Sequence, residues 1–252
     1  MTRRYLRTSD LAKAVGVHPN TIRLYEKWGF LPPVPRNPSG YRLFTEDHLA
    51  HARLIRLALH FTWLGGDLKH SAYAMVLQAA SGDLGGALEL AYQLLVLVRA
   101  ERAQAEAAAE LLKRWAQGAT TDTTAEPLHI GETAKLLGVT TDQLRNWERN
   151  GLIEVPRNPC NNYRLYGAPQ IARLRVIRTL RRAKYSMMAI LRMLLHLDQG
   201  KEGDLREVLD TPSPDEDVYY ATDRWLSYLA ELEQYATDAI SLLEEMMRKQ
   251  QA

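Results

Sequence analysis

The residues best equipped for chemistry are arginines, tyrosines and short polar side chains, set at intervals that suit a polyanion. Asn20, Thr21, Arg23 and Lys27 fall within eight positions, on a stretch whose apolar Ile22 can face a partner helix while the others point outward. Arg36, Tyr41 and Arg42 follow in a Pro- and Gly-rich segment. Guanidinium and phenol groups donate hydrogen bonds to phosphate oxygens, and a helical row of short polar and basic side chains can enter a major groove about 12 Å wide. Such a set recognises; it does not catalyse. No Gly-rich phosphate loop, Ser–His–Asp spacing or carboxylate pair stands out, and an enzyme is the least expected class.

The same set occurs twice. Sliding the chain by 122 residues lays Leu6, Ala12, Lys13, Gly16, Val17, Arg23, Glu26 and Gly29 on Leu128, Ala134, Lys135, Gly138, Val139, Arg145, Glu148 and Gly151. After a one-residue deletion, Val34-Pro35-Arg36-Asn37-Pro38 meets Val155-Pro156-Arg157-Asn158-Pro159. After a compensating insertion, Tyr41-Arg42-Leu43 meets Tyr163-Arg164-Leu165. Gln143, Arg145, Arg149, Arg157, Tyr163 and Arg164 are thus the second copy's candidates for nucleic-acid contact.

Charge follows the repeat. Residues 1–60 carry a net +6 and 128–184 a net +7, whereas 61–117 carry −1, 118–127 carry −2 and 185–252 carry −8, within an overall +2. Two basic lobes on a framework that is not basic suggest two surfaces for one polyanion. The 252 residues suffice for several small domains, and 46% hydrophobic with 25% charged content is that of an ordinary globular chain. A single cysteine, Cys160, excludes an internal disulfide and a multi-cysteine metal site. With no run of eighteen apolar residues and no signal-peptide pattern after Met1, a cytoplasmic chain without membrane contact is expected, ending without an appended effector domain.

The elements that position these residues are helical. A short helix follows Thr8-Ser9 and ends at Gly16-Val17; a second opens on Pro19 and ends at Gly29. In the second copy Thr140-Thr141-Asp142-Gln143 has capping-box spacing. Helix, Gly turn, helix is helix-turn-helix spacing. The segment Leu31 to Pro38 is too proline-rich for a helix, and Gly40 to Phe44 is β-prone, so a small two-stranded wing is expected. Helices from about Thr45 to His60 and Thr62 to Ala80 follow, matched by Pro169 to Lys184 and Ser186 to Gln199. Leu88, Ala91, Leu95, Val98, Arg102, Ala105, Ala109 and Leu112 alternate threes and fours, as do Trp225, Leu229, Leu232, Ala236, Ala239, Leu243 and Met246; both are coiled-coil seams of about four heptads.

The run Thr21 to Leu31 (TIRLYEKWGFL), with Arg36 and Gly40-Tyr41-Arg42-Leu43-Phe44, closely resembles the MerR family of bacterial transcription regulators. Gln143 to Ile153 (QLRNWERNGLI) with Tyr163-Arg164-Leu165-Tyr166 resembles a more divergent member. The resemblance implies that the second helix reads the groove while Arg23, Tyr25, Tyr41 and Arg42 contact DNA, largely its backbone. Arg145, Tyr163 and Arg164 match in the second copy, and Trp147 stands where the pattern has tyrosine. It also implies promoter distortion and RNA polymerase as a partner at the promoter.

Bland readings accompany several of these. Arg23 and Arg145 each have a glutamate three residues on, Glu26 and Glu148, at helical pairing distance. Tyr25 and Trp147 occupy helix positions that often belong to a core. Trp225, Tyr228 and Tyr235 are core rather than a ligand box. His48 and His51, one turn apart, read as a solvated helix face rather than a metal pair, and Asp215-Glu216-Asp217 as helix-terminal charge. No metal or cofactor is expected.

The expected fold is mainly α: two winged helix-turn-helix (MerR-like) domains, each followed by a helical pair and a long coiled-coil helix, arranged as an internal pseudo-dimer. The first domain spans 1–80, the first long helix 84–117, the linker 118–127, the second domain 128–200 and the second long helix 216–250. A ten-residue linker reaches about 33 Å, enough to join antiparallel long helices within one chain. The expected function is sequence-specific regulation through double-stranded DNA, with an asymmetric operator read by two unlike heads of a monomeric pseudo-dimer. A four-headed homodimer is the alternative assembly. An excisionase-like architectural factor, or a small-molecule-binding protein with vestigial heads, are the alternatives in other classes.

Overall fold

The computed structural model describes residues 5–62, 66–116, 126–201, 203–212 and 221–251. Residues 118–125 of the expected linker, Asp215-Glu216-Asp217, Tyr219 and Tyr220 lie outside the described residues, as does the start expected for the helix after Thr62. The described chain is helical: α1 (Thr8–Ala14), α2 (Pro19–Lys27), α3 (Glu46–Leu59), α4 (Gly66–Ala80), α5 (Leu84–Ala116), α6 (Ile130–Leu137), α7 (Thr141–Arg149), α8 (Ala168–Arg182), α9 (Met187–Asp198), α10 (Leu205–Asp210) and α11 (Trp225–Gln251), the last preceded by a 3-10 turn, Ala221–Arg224. Among the described residues no helix is long and apolar enough to cross a membrane.

Two compact units form. The first contains residues 1–100 and 230–252, the second 101–229. Each long helix is therefore divided, and each unit combines one head with helix drawn from both copies of the repeat.

In the first unit, α1 ends because Gly16 takes φ +67°, which lets the Val17 N–H donate to the Ala12 carbonyl at 2.9 Å. A residue with a Cβ at that φ is strained, which is why glycine punctuates the motif. Helix α2 opens on Pro19 behind His18, whose ring accepts the Asn20 N–H at 3.2 Å. It closes at Gly29 (φ +73°), with the Phe30 N–H on the Tyr25 carbonyl at 2.9 Å. Leu11, Ile22, Tyr25, Phe44 and Leu54 are sealed from solvent and fix α1, α2 and α3 against one another. The α11 segment of this unit runs opposite to that of α5: Tyr92 donates to Glu244, and seven residues on, Arg99 donates to Glu233 at 2.8 Å.

The second unit repeats the head. Gly138 (φ +58°) and Gly151 (φ +73°) end α6 and α7, and Thr140 and Gln143 close a reciprocal capping box at 2.9 and 3.1 Å. The α5 segment of this unit is held by the Tyr185 hydroxyl on the Ala105 carbonyl (3.1 Å), by Lys184 on Glu101 (2.5 Å) and by Arg206 on Glu106 (3.2 Å). The Tyr185 phenol pKa is pushed far up by burial. Helix α10 was not expected from sequence. It is docked by the buried Arg192 of α9, which donates to the carbonyls of Val208 (2.8 Å), Leu209 (3.2 Å) and Asp223 (3.3 Å).

Of the expected α5 seam, Ala91, Leu95, Val98, Ala105, Ala109 and Leu112 are buried while Leu88 and Arg102 are half-buried; on α11, Trp225, Leu229, Leu232, Ala236, Ala239, Leu243 and Met246 are all buried. Trp225 has no exposed surface, so it is core as expected.

The wing differs from expectation. Among the described residues it contains no regular strands, only isolated antiparallel bridges: Arg36 with Arg42 and Leu6 with Phe44 in the first copy, Arg157 with Arg164 and Leu128 with Tyr166 in the second. Proline explains the difference, because Pro33, Pro35 and Pro38 have no N–H to extend a ladder. What remains is Leu43 N–H on the Pro35 carbonyl (2.8 Å) and Asn37 N–H on the Tyr41 carbonyl (2.9 Å).

Candidate nucleic-acid interface

Helix α2 has a buried and an open side. Ile22 and Tyr25 are sealed into the core, while Asn20, Arg23, Leu24 and Lys27 are exposed and Thr21 is half-buried. Positions 20, 23, 24 and 27 share one face by helical spacing. On α7, Leu144 and Trp147 are buried, while Asp142, Gln143, Arg145, Asn146 and Arg149 are exposed.

Two aromatic residues of the expected contact set are buried. Tyr25 is 1% exposed with its hydroxyl oxygen enclosed, and Trp147 is 5% exposed. Both rings are packed into the core of their heads. Burial pushes the Tyr25 phenol pKa up, with the Arg56 guanidinium beside it acting in the opposite sense. A period-3.6 pattern gives the same weight to an inward aromatic and a groove-facing one, which is why sequence alone left the choice open.

The glutamates do something other than pair along their helix. Arg23 donates to Asn20 Oδ1 at 2.8 Å and Arg145 to Asp142 Oδ1 at 2.9 Å, one turn toward the N-terminus in each case. Glu26 is thereby available to the wing: Arg42 Nε donates to its Oε2 at 2.5 Å and Arg36 Nη2 to its Oε1 at 3.2 Å. Glu148 repeats the clamp, with Arg164 at 2.6 Å and Arg157 at 3.5 Å. One carboxylate holding two guanidiniums leaves a net positive triad. Each guanidinium has five N–H donors and spends only one or two of them, so most remain for an external acceptor. The clamp ties the wing to the end of the second helix, so that helix and wing present their donors as one body. The repeat contains the same three residues twice, Glu26 and Arg42 recurring at offset 122 and Arg36 at 121, but helical spacing pointed each glutamate to Arg23 or Arg145 and not to the wing.

At the wing tips Tyr41 is 71% and Tyr163 64% exposed. Gly40 (φ +82°) turns the first tip. In the second, one residue longer, Asn162 takes the left-handed conformation (φ +59°), which asparagine tolerates better than most residues. Cys160 is exposed on that tip.

The two histidines of α3 are buried, at 4% and 3% exposure, which corrects the solvated-face expectation. His51 Nδ1 and Nε2 lie 2.9 and 3.1 Å from the Asp47 and Ala79 carbonyls, so neither nitrogen is open to a shared ion. Among the described residues no cluster of three potential ligands could hold a metal.

Both heads have the form of a helix-turn-helix carrying a short wing, the architecture of a class of DNA-binding modules. The family model described as "MerR HTH family regulatory protein" matches residues 6–61 and 128–197, together half of the chain, and the chain belongs to that family. It is 37% identical over 81 residues to a probable heavy metal-dependent transcriptional regulator of Haemophilus influenzae, covering 32% of this chain and 62% of that protein. It is 36% identical over 75 residues to the mercuric resistance operon regulatory protein of Serratia marcescens, covering 30% and 51%. Over 50 residues it is 42% identical to the HTH-type transcriptional regulator CueR of Escherichia coli, covering 20% and 37%. The chain thus spans less than two thirds of the length of these relatives. No solved structure matches it.

Proposed function

We propose that this chain is a sequence-specific double-stranded DNA-binding transcriptional regulator that carries both of its reading heads in one polypeptide. In this reading Asn20, Thr21, Arg23 and Lys27 face one half-site, and Gln143, Arg145 and Arg149 the other. Arg36, Tyr41, Arg42, Arg157, Tyr163 and Arg164 hold the flanking phosphates. The observation that carries it is the duplicated constellation: an exposed polar and basic row, backed by a wing clamped through Glu26 or Glu148. Phosphate contacts fix register and base-edge contacts give specificity, and each head offers both.

The long helices act as the internal dimer axis, so the chain is a monomeric pseudo-dimer. The opposed running of the α5 and α11 segments in the first unit supports this. The heads differ at outward positions, Asn20, Thr21, Leu24 and Lys27 against Asp142, Gln143, Asn146 and Arg149. The operator is therefore asymmetric, since no exact two-fold axis is imposed on it. Distortion of the DNA between half-sites, bringing a promoter into register for RNA polymerase, extends the same reading. Selection from a random duplex pool is the test. Two unlike half-sites at fixed spacing are expected; a perfect inverted repeat, or no enrichment, refutes the reading.

A further inference from the structure

The open face of α2 is not uniformly polar. Leu24 is 41% exposed and Trp28, four residues on, is 51% exposed, so two large apolar side chains are neighbours on the helix that also presents Arg23 and Lys27. A single exposed leucine is ordinary on a protein surface. This pair is ordered. The Trp28 N–H donates to the Leu24 carbonyl at 2.8 Å, which keeps residue 28 in helical register, and the Trp28 ring meets Phe30 edge to face at 5.7 Å. Phe30 in turn stacks on Tyr73 of α4 at 5.7 Å, so the indole is buttressed by two further rings. The Arg23 guanidinium is drawn to Asn20, one turn toward the N-terminus, and Leu24 stays uncovered.

The second head has the opposite chemistry at the same two places. Asn146 and Asn150, 122 residues on, are both exposed, and Asn150 donates to Asn146 Oδ1 at 2.9 Å. One second helix therefore presents an apolar strip where the other presents a pair of amides.

The cations beside Leu24 select the partner. Arg23 and Lys27 favour a polyanion, and a polyanion that also accommodates an apolar side chain must carry an apolar group between its charges. On the major-groove edges of duplex DNA that group is the 5-methyl of thymine. We propose that Leu24 is a specificity-determining residue of the first head, reading the 5-methyl group of a thymine in the first half-site. It rests on the DNA-binding reading above and assigns a base that the reading leaves open. Asn146 gives the second head no apolar side chain for such a contact at this place. Deleting the methyl costs about fourfold in affinity, the equivalent of about 0.8 kcal/mol for one buried carbon. A bidentate hydrogen-bond pair to a base discriminates more strongly than that.

Duplexes enriched from a random pool by the full chain are the substrate of the test. Each thymine is replaced singly by deoxyuridine, which deletes the methyl and keeps the hydrogen-bonding edge, and dissociation constants are measured by fluorescence anisotropy. At least one position is expected to show the loss of about fourfold. Leu24→Asn, which installs the residue type of position 146, brings the thymine-to-uracil ratio at that position to one. Leu24→Met, apolar and of similar volume, retains it. Each ratio compares two duplexes on the same protein, so a change in the folded fraction cancels. Equal affinity of the parent chain for thymine and uracil at every position, or a uracil loss that persists in Leu24→Asn, overturns the contact while the regulator reading stands. Failure of the parent chain to bind any duplex overturns that reading and the contact with it.

Discussion

At the scale of single residues, the arginines of the two wings each place a donor on an internal carboxylate and keep further N–H groups uncommitted to it. Arg42 and Arg164 each use Nε on a glutamate, with side chains about a quarter exposed. A partly exposed ion pair contributes little to stability, on the order of 1 kcal/mol or less. Arg42→Ala and Arg164→Ala are therefore expected to leave thermal unfolding nearly unchanged. Each should lower DNA affinity by about tenfold, uniformly across sequences, and reduce the salt slope by about one. Fluorescence anisotropy at several salt concentrations measures both quantities. Tyr25→Phe should do neither, because its hydroxyl oxygen is enclosed and without a hydrogen-bond partner. A large loss of affinity in Tyr25→Phe would return that phenol to the DNA surface. The exposed row on each second helix was legible in sequence from the buried Ile22 and Leu144 that fix its orientation. The clamp partners were not, because helical spacing favours an i,i+3 pair and carries no information about an approaching wing.

Histidines make a second prediction at this scale. Burial holds the pKa of His48 and of His60 below the ordinary histidine value. The unfolded chain then binds more protons than the folded one over the interval below about pH 6.5. Stability is fully present above that pH and is lost as pH falls from 6.5 toward the depressed folded-state values. Melting curves between pH 7.5 and 5 should show a falling transition temperature, and a shallower fall in His48→Phe. A flat profile in the parent chain would contradict the burial of these rings.

At the scale of elements, helix ends and seams were legible because their causes are local. Gly16, Gly29, Gly138 and Gly151 stop four short helices by adopting positive φ, and the seam named from spacing is buried throughout on α11 and on α5 at all positions but Leu88 and Arg102, which are half-buried. Gly29→Ala or Gly151→Ala places a Cβ at φ +73° and should cost about 1–2 kcal/mol, read as a lowered midpoint in urea. Less legible was anything fixed by distant carbonyls. The α10 helix has six residues and no marked period, and it is docked by Arg192, an arginine inside an otherwise apolar stretch of α9. Arg192→Met leaves at least three carbonyls without that donor, and a loss of about 2–4 kcal/mol is expected. The wing was read as two strands from its β-prone residues, but its prolines restrict it to isolated bridges.

At the scale of the whole molecule, duplication within one chain frees each head to diverge, which identical subunits of a homodimer cannot do. The divergence is chemical as well as positional. Arg23 is oriented by the neutral amide of Asn20, whereas Arg145 is oriented by the carboxylate of Asp142, which cancels its charge locally. The first head should therefore contribute more to the salt-dependent part of binding, and the second more to base discrimination. Asp142→Asn makes the two arginine environments alike. It is expected to raise overall affinity at low salt several-fold, to steepen the salt dependence, and to relax the sequence preference of one half-site while leaving the other intact. Arg23→Ala should weaken binding without altering the selected sequence of the second half-site. Parallel selections with the parent chain and both variants measure these effects. If Asp142→Asn changes both half-sites equally, the heads do not read independently, and the benefit of holding two unlike readers in one chain would have to lie elsewhere than in an asymmetric operator.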